Sequence, residues 1–335
     1  MKKKKKRKIF VTGGAGYIGS HCVISLIKEG FLPIIIDNFS NSYPNVIKKL
    51  EIITKKKIIF YNIDLRDKKK LNKIFNLHNC YSVIHCAGYK AVGESTKKPI
   101  YYFENNIGTT LSLLECMELN NVHKIIFSSS ATVYDEGKYK YLNEKSKIGK
   151  TKNPYGNSKY IIERILKDVS KYNKKWSIRI ARYFNPISNH HSGLIKENPK
   201  GTPNNLLPLI IKVAQKKIST LNVYGKNYPT KDGTCVRDYI HVMDVADGHI
   251  SIIKKNISHN GFKVYNFGTG KGSTVLEIIK AFEKYTGKNV SYKFIPRRKG
   301  DATTSICSPK KAIKELNWRA KYNLNQAMMD INKIV

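Results

Sequence analysis

A tyrosine and a lysine four residues apart, Tyr155 and Lys159, are the residues of this chain best suited to moving a proton. On a helix they share one face, one turn apart. A lysine held there is expected to pull the phenol down from its reference pKa of about 10 toward neutrality. Such a tyrosine can take a proton from a sugar or alcohol hydroxyl and give it back. Tyr134/Lys138 and Tyr141/Lys145 repeat the spacing, but they lie among Gly137, Gly149 and scattered charges, which reads as loop. Around Tyr155 the context differs. Pro154 suits the first turn of a helix, and Ile161, Ile165, Leu166 and Val169 recur at helical spacing.

The partner chemistry lies upstream, in Thr12-Gly13-Gly14-Ala15-Gly16-Tyr17-Ile18-Gly19. Glycines let the backbone approach a pyrophosphate, and the helix that follows offers free N–H groups to the anion. The loop follows a predicted strand, opens a predicted helix and precedes a second strand ending in Asp37. An acid there accepts hydrogen bonds from ribose hydroxyls and repels a 2′-phosphate, so NAD is favoured over NADP. Asp64 and Leu65 follow the third strand, within reach of an adenine ring. Cys86 ends the fourth, near the expected pyrophosphate, and Lys90 follows it. Hydride chemistry on a hydroxyl is the reaction these two sites imply together.

The elements that must position them read as alternating strands and helices. Predicted strands at 8–12, 32–37, 58–61, 82–86, 124–128 and 177–182 alternate with helices at 17–29, 46–53, around Ile107, Leu111 and Leu114, and at 155–170. This argues an α/β, Rossmann-type doubly wound parallel sheet. After about Asn185 the regularity fades into short strands (220–224, 265–268, 291–295) and a helix at 274–285, a smaller mixed α/β C-terminal lobe. The division expected is an NAD-binding domain over 1–185 and a substrate lobe over 186–335, with a segment near 238–249 returning to the main sheet.

Composition narrows the class. A hydrophobic fraction of 41% over 335 residues supplies a core, and no apolar run approaches the roughly 18 residues of a membrane span. The basic start resembles a signal-peptide n-region, but only Ile9-Phe10-Val11 follows before glycines intervene, so a cytoplasmic protein is expected. The formal charge of +37 would suit a nucleic-acid partner. The excess is spread along the chain as lysine, with abundant isoleucine and asparagine, and reads as coding bias instead. The six cysteines show no C-x-x-C spacing and read as reduced core or pocket thiols. His190-His191 has no partner ligand at metal-binding spacing, so no metal is expected.

With these motifs the chain resembles the extended short-chain dehydrogenase/reductase superfamily and, within it, the UDP-glucose 4-epimerases. The signposts run from Ile9 to about Trp318: Val11-Thr12-Gly13-Gly14, Lys90 to Ser95, Phe127 to Tyr134, Arg182 to Pro186, Val236 to Val242 and Pro296 to Asp301. The resemblance implies C4 epimerisation of a UDP-hexose through a 4-keto intermediate, with NAD regenerated each turnover. It implies Tyr155 as base, Ser130 bonded to the reacting oxygen, Thr132 as a second hydroxyl, and Lys159 on the nicotinamide ribose. It adds Asn38, Asn41, Ser42, Asn105, Ser128 and Phe184 to the cofactor site. For the UDP-sugar it implies Lys90, Asn185, Asn205, Leu206, Asn222, Tyr224, Arg237, Arg298, Asp301 and Ser305, and a homodimer.

Departures are few. Cys86 replaces a larger apolar residue, and Asp135-Glu136-Gly137 departs from the usual Tyr-Gly. Ser305 stands where members restricted to UDP-glucose and UDP-galactose carry tyrosine, so UDP-GlcNAc and UDP-GalNAc are expected substrates too. A nucleotide-sugar 4,6-dehydratase would need an Asp-Glu pair where this chain has Ala131-Thr132. Epimerases of UDP-glucuronate stay open, as does, from another class, a basic nucleic-acid-binding protein on an NAD-binding fold.

Overall fold

The alternating runs assemble into a seven-stranded sheet in the computed structural model of the chain, which describes residues 6–135, 140–201, 203, 205–298 and 301–335. In spatial order the strands are Gly261–Phe267, Ser177–Tyr183, Lys124–Ser130, Cys80–His85, Lys8–Thr12, Leu32–Asp37 and Ile59–Asn62. Every neighbouring pair is parallel. Helices cover both faces, which is why the strands are near-continuous apolar runs. Side chains alternate between two cores. Ile9, Val11 and Ile35 face the helices Tyr17–Lys28 and Val242–Lys255. Phe10, Ile34 and Ile36 face the side of Pro99–Leu119 and Pro154–Tyr172. The chain order reverses between Lys8–Thr12 and Cys80–His85, and a crevice opens at the carboxyl ends of the strands there.

Beyond Asn185 the chain builds a second core from Leu207, Ile210, Ile278, Phe282 and Met328. Short strands frame it: Leu221–Tyr224 pairs with Tyr292–Ile295, and Val236–Arg237 lies between Ser273–Thr274 and Thr304–Cys307. The helix Val275–Thr286 is started by a reciprocal cap between Thr274 and Glu277.

The segment near 238–249 does not enter the main sheet. Tyr239–His241 pairs with Asn185–Ile187. The His241 ring then accepts from the Met243 amide and starts the helix Val242–Lys255, which lies on the sheet as a cover. The strand that joins the sheet is Gly261–Phe267, not a strand of the smaller lobe. Asp238 ties the two regions, accepting from the amides of Thr269, Gly270 and Cys307. Of the rival tyrosine–lysine pairs, Tyr134 is buried and donates to Asn266 Oδ1 at 2.7 Å, and Tyr141 is exposed on a two-residue strand. Lys138, Glu136 and Gly137 lie outside the described residues.

Candidate active site

The glycine loop is built where side chains do not fit. A Cβ on Gly13 would sit 2.7 Å from the Ala87 nitrogen, and Gly13 has φ +66° besides. One on Gly19 would sit 2.2 Å from the Gly13 carbonyl oxygen. Gly16 is less crowded, with its nearest neighbour at 3.2 Å. It caps the helix Tyr17–Lys28, which begins with no side-chain cap, so the first-turn N–H groups keep their affinity for an anion. The Asp37 carboxylate accepts from the Ala15 amide at 2.9 Å, the Phe39 amide at 2.8 Å and Ser42 Oγ at 3.1 Å. Burial pushes its pKa up, and these bonds pull it back. This cradle and acid fit a dinucleotide. Asp64 is differently engaged: Arg66 grips both its oxygens, at 3.0 and 2.8 Å, and holds its pKa at about 2.

Tyr155 lies in the first turn of the helix Pro154–Tyr172, where Asn153 Oδ1 accepts from the Gly156 amide at 2.8 Å. The phenol is buried and lies beside Ser130, the last residue of the strand Lys124–Ser130. Burial raises the phenol's pKa above its ordinary value, and Ser130 opposes the rise. The lowering expected from Lys159 is therefore not what this structure shows. Lys159 Nζ instead donates to the Ser128 carbonyl at 2.9 Å and lies 4.6 Å from the centre of the Phe127 ring. Its own burial brings the ammonium down to about 8. Thr132 Oγ1 is buried on the cleft wall without a partner among the described residues, a hydroxyl free to meet a ligand.

One cleft of about 800 Å³ joins these parts to the second lobe. Asn185, Asn205, Leu206, Asn222, Tyr224, Arg237, Arg298 and Asp301 line its far end, and Asn38, Asn41, Asn105 and Phe184 its near parts. The Arg298 guanidinium lies 3.8 Å from the centre of the Tyr224 ring. Arg237 binds Asp301 Oδ1 and the Ala302 carbonyl. Two expected residues are not on the wall. Ser128 is buried behind it: its carbonyl accepts from Lys159, its hydroxyl donates to His249 Nε2 and accepts from the Cys86 thiol. Ser305 is 1% exposed, in register beside Arg237 on the adjacent strand, so a tyrosine there would have to displace neighbours to reach a ligand.

The sequence reading missed Glu197, whose carboxylate pairs with Lys90 and accepts from Asn205 Nδ2 at 2.7 Å. Its only sequence signal is rarity, an acid in a chain with 24 acidic and 61 basic residues. Asn106 was also missed; it accepts from the Tyr89 amide and donates to Ser158 Oγ, locking the loop after Cys86 onto the Tyr155 helix. Glu163 and Arg182 form a buried ion pair below the strand end, and Ser129 Oγ donates to the same carboxylate.

Comparison with known proteins agrees with this geometry. The model of the NAD dependent epimerase/dehydratase family matches residues 9–268. The UDP-glucose 4-epimerase of Yersinia enterocolitica is 50% identical over 322 residues, covering 96% of this chain and 95% of that protein. That of Bos taurus is 44% identical over 330 residues, covering 97% and 95%. The crystal structure of the UDP-glucose 4-epimerase from Bifidobacterium longum, in complex with NAD+ and UDP, superimposes with a TM-score of 0.94 at 46% identity, covering 98% of this chain and 97% of that one.

Proposed function

The chain belongs to the NAD dependent epimerase/dehydratase family, and on that premise we propose that it inverts C4 of a UDP-hexose, interconverting UDP-glucose and UDP-galactose with NAD. The observation that carries the reading is one continuous cleft: a glycine cradle and Asp37 at one end, Tyr155 beside Ser130 at its centre, and two arginines at the other. Bound NAD supplies a hydride acceptor and, once reduced, a hydride donor. Tyr155 as phenolate takes the proton of the C4 hydroxyl and returns it when the ketone is reduced. Ser130 holds the reacting oxygen and shortens the proton path. Burial raises the phenol's proton affinity, so its ionisation at neutral pH draws on cations: Lys159 one turn along, and the positive charge of the oxidised nicotinamide.

Arg237 and Arg298 suit the diphosphate, and Asp301 the ribose. Anchored there, the 4-keto sugar turns its other face before reduction. Ala131-Thr132 begins the short turn after Ser130 and offers no carboxylates for eliminating water, which disfavours a dehydratase. Tyr155→Phe removes the proton acceptor while keeping the ring. Conversion of UDP-galactose is expected to fall by at least about 10³-fold with the fold and bound NAD retained; activity within tenfold of the parent would overturn the assignment.

Small Ser305 leaves room for an N-acetyl group if the wall before it yields. Turnover of UDP-GalNAc in a coupled assay is the expected outcome, and none at high enzyme concentration would refute it. A homodimer accords with exposed Ile100 and Leu111, which share a face of the helix Pro99–Leu119. Among the described residues no helix is long and apolar enough to cross a membrane, and the six cysteines are free thiols, which suits a reducing compartment such as the cytoplasm.

A further inference from the structure

Behind the cofactor end of the cleft, three potential ligands from separate segments converge. Cys22 comes from the helix Tyr17–Lys28, Cys86 follows the strand Cys80–His85, and His249 comes from the helix Val242–Lys255. One ligand atom of each lies within 4.8 Å of the others. We propose that Cys22, Cys86 and His249 form a site for a thiophilic divalent cation of the zinc class, and that its occupancy inhibits the enzyme. The proton arrangement favours this. His249 Nδ1 lies 2.8 Å from the Val245 carbonyl, to which it must donate. The neutral ring therefore presents the lone pair of Nε2 to the cluster, and an N–H to carbonyl bond on the far nitrogen is how metal-ligating histidines are oriented.

Two thiolates and a neutral imidazole balance a dication without leaving net charge in the core. Ser128 Oγ, 3.1 Å from Cys86 Sγ and 2.8 Å from His249 Nε2, is a neutral oxygen at the edge of the cluster. Cys22 and His249 are fully buried, while Cys86 lines the cleft and gives the entry. Binding is ligand exchange without redox change: two S–H bonds lose protons to solvent and two S–metal bonds form. Inhibition follows from position. The metal takes both hydroxyl partners of Ser128, the residue whose carbonyl seats Lys159.

The test is equilibrium dialysis of the holoenzyme against zinc chloride, with cobalt as a spectroscopic substitute. One cation per chain is expected, with two protons released per cation and a near-ultraviolet thiolate-to-cobalt band. Activity should fall in step with occupancy and return on chelation. Cys22→Ala and His249→Gln should each weaken binding by at least about tenfold, by analogy with lost metal contacts, while Cys307→Ala, a buried thiol elsewhere, should not. No retained cation, no thiolate band, or unchanged affinity in Cys22→Ala would overturn the site. If His249→Gln does not fold, Cys22→Ala decides alone. The binding arm does not depend on the epimerase reading, so failure of either leaves the other standing.

Discussion

Lys159 holds its charge where water does not reach, and the protein bears the cost. Its pKa falls to about 8 from an ordinary value near 10.5, chiefly through burial. Between those values the folded protein has released a proton that the unfolded chain still holds, so stability rises with pH across that window. Below pH 8 the full penalty applies, roughly 3 kcal/mol for a shift of that size. Lys159→Met removes the penalty and also the bond to the Ser128 carbonyl, worth about 1 kcal/mol. The variant should be more stable than the parent by about 2 kcal/mol at pH 7 and less stable by about 1 kcal/mol above pH 10.5, where only the lost bond counts, and inactive as an epimerase. Urea titrations at both pH values measure this; a parent at least as stable at pH 7 would sink it. On the proposed function, that cost is carried at the residue one turn from Tyr155. The spacing of the two residues was legible in the sequence. That the lysine rests on a strand-end carbonyl, and that burial pushes the phenol up, depended on packing that no spacing encodes.

At the scale of elements, the glycine loop separates two roles. Gly19 and Gly13 are required by the fold, because a Cβ at either meets backbone. Gly16 is less constrained: a Cβ there would lie 3.2 Å from the Gly13 carbonyl oxygen, which need give only a few tenths of an ångström, and on the proposed function its value lies in what approaches it. Gly19→Ala should therefore lower the thermal midpoint of the protein with or without added NAD. Gly16→Ala should leave the ligand-free midpoint nearly unchanged and lose the stabilisation that NAD gives. Equal effects of both substitutions in the absence of NAD would contradict this division. The first six strands were legible because apolar runs, glycines and amphipathic helices alternate regularly. The seventh was legible only at its end, as a short strand at 265–268 of the smaller lobe: its first four residues, Gly261 to Val264, are only partly buried, and the stretch before it resembles the irregular lobe. Ser305 shows the converse, a position singled out by the family resemblance yet buried behind the wall. The Cys22, Cys86 and His249 cluster was invisible because a metal motif is sought at short spacing, and these ligands meet only through the packing of two helices on one sheet.

For the whole molecule, buried histidines set the response to acid. His21 and His85 are held at about 3 and His249 at about 4, each mainly by burial. In the unfolded chain they protonate near 6.5. The stability they hold above that pH is lost as pH falls, at about 1.4 kcal/mol per unit for each. Asp244 works the other way. Burial raises its carboxyl to about 6, so it stabilises most below the unfolded value of about 3.9 and loses that contribution as pH rises through 6. Asp37, Glu144 and Asp238 are raised by burial in the same sense, while His190, held at about 4, adds to the loss; the histidines, each held at about 4 or below, dominate on acidification. The urea midpoint should drop clearly between pH 7 and pH 5; a flat profile would contradict the burial of these rings. The position of the strand Gly261–Phe267 has a consequence for synthesis. The ribosome delivers the first six strands, then about eighty residues that belong mostly elsewhere, before the partner of Ser177–Tyr183 emerges. Until then a nascent chain carries an unpaired strand margin, Ser177–Tyr183, whose backbone groups await a partner and whose Arg179 and Arg182 discourage other chains from supplying it. A chain that stops within the lobe therefore leaves the sheet one strand short, with that margin open.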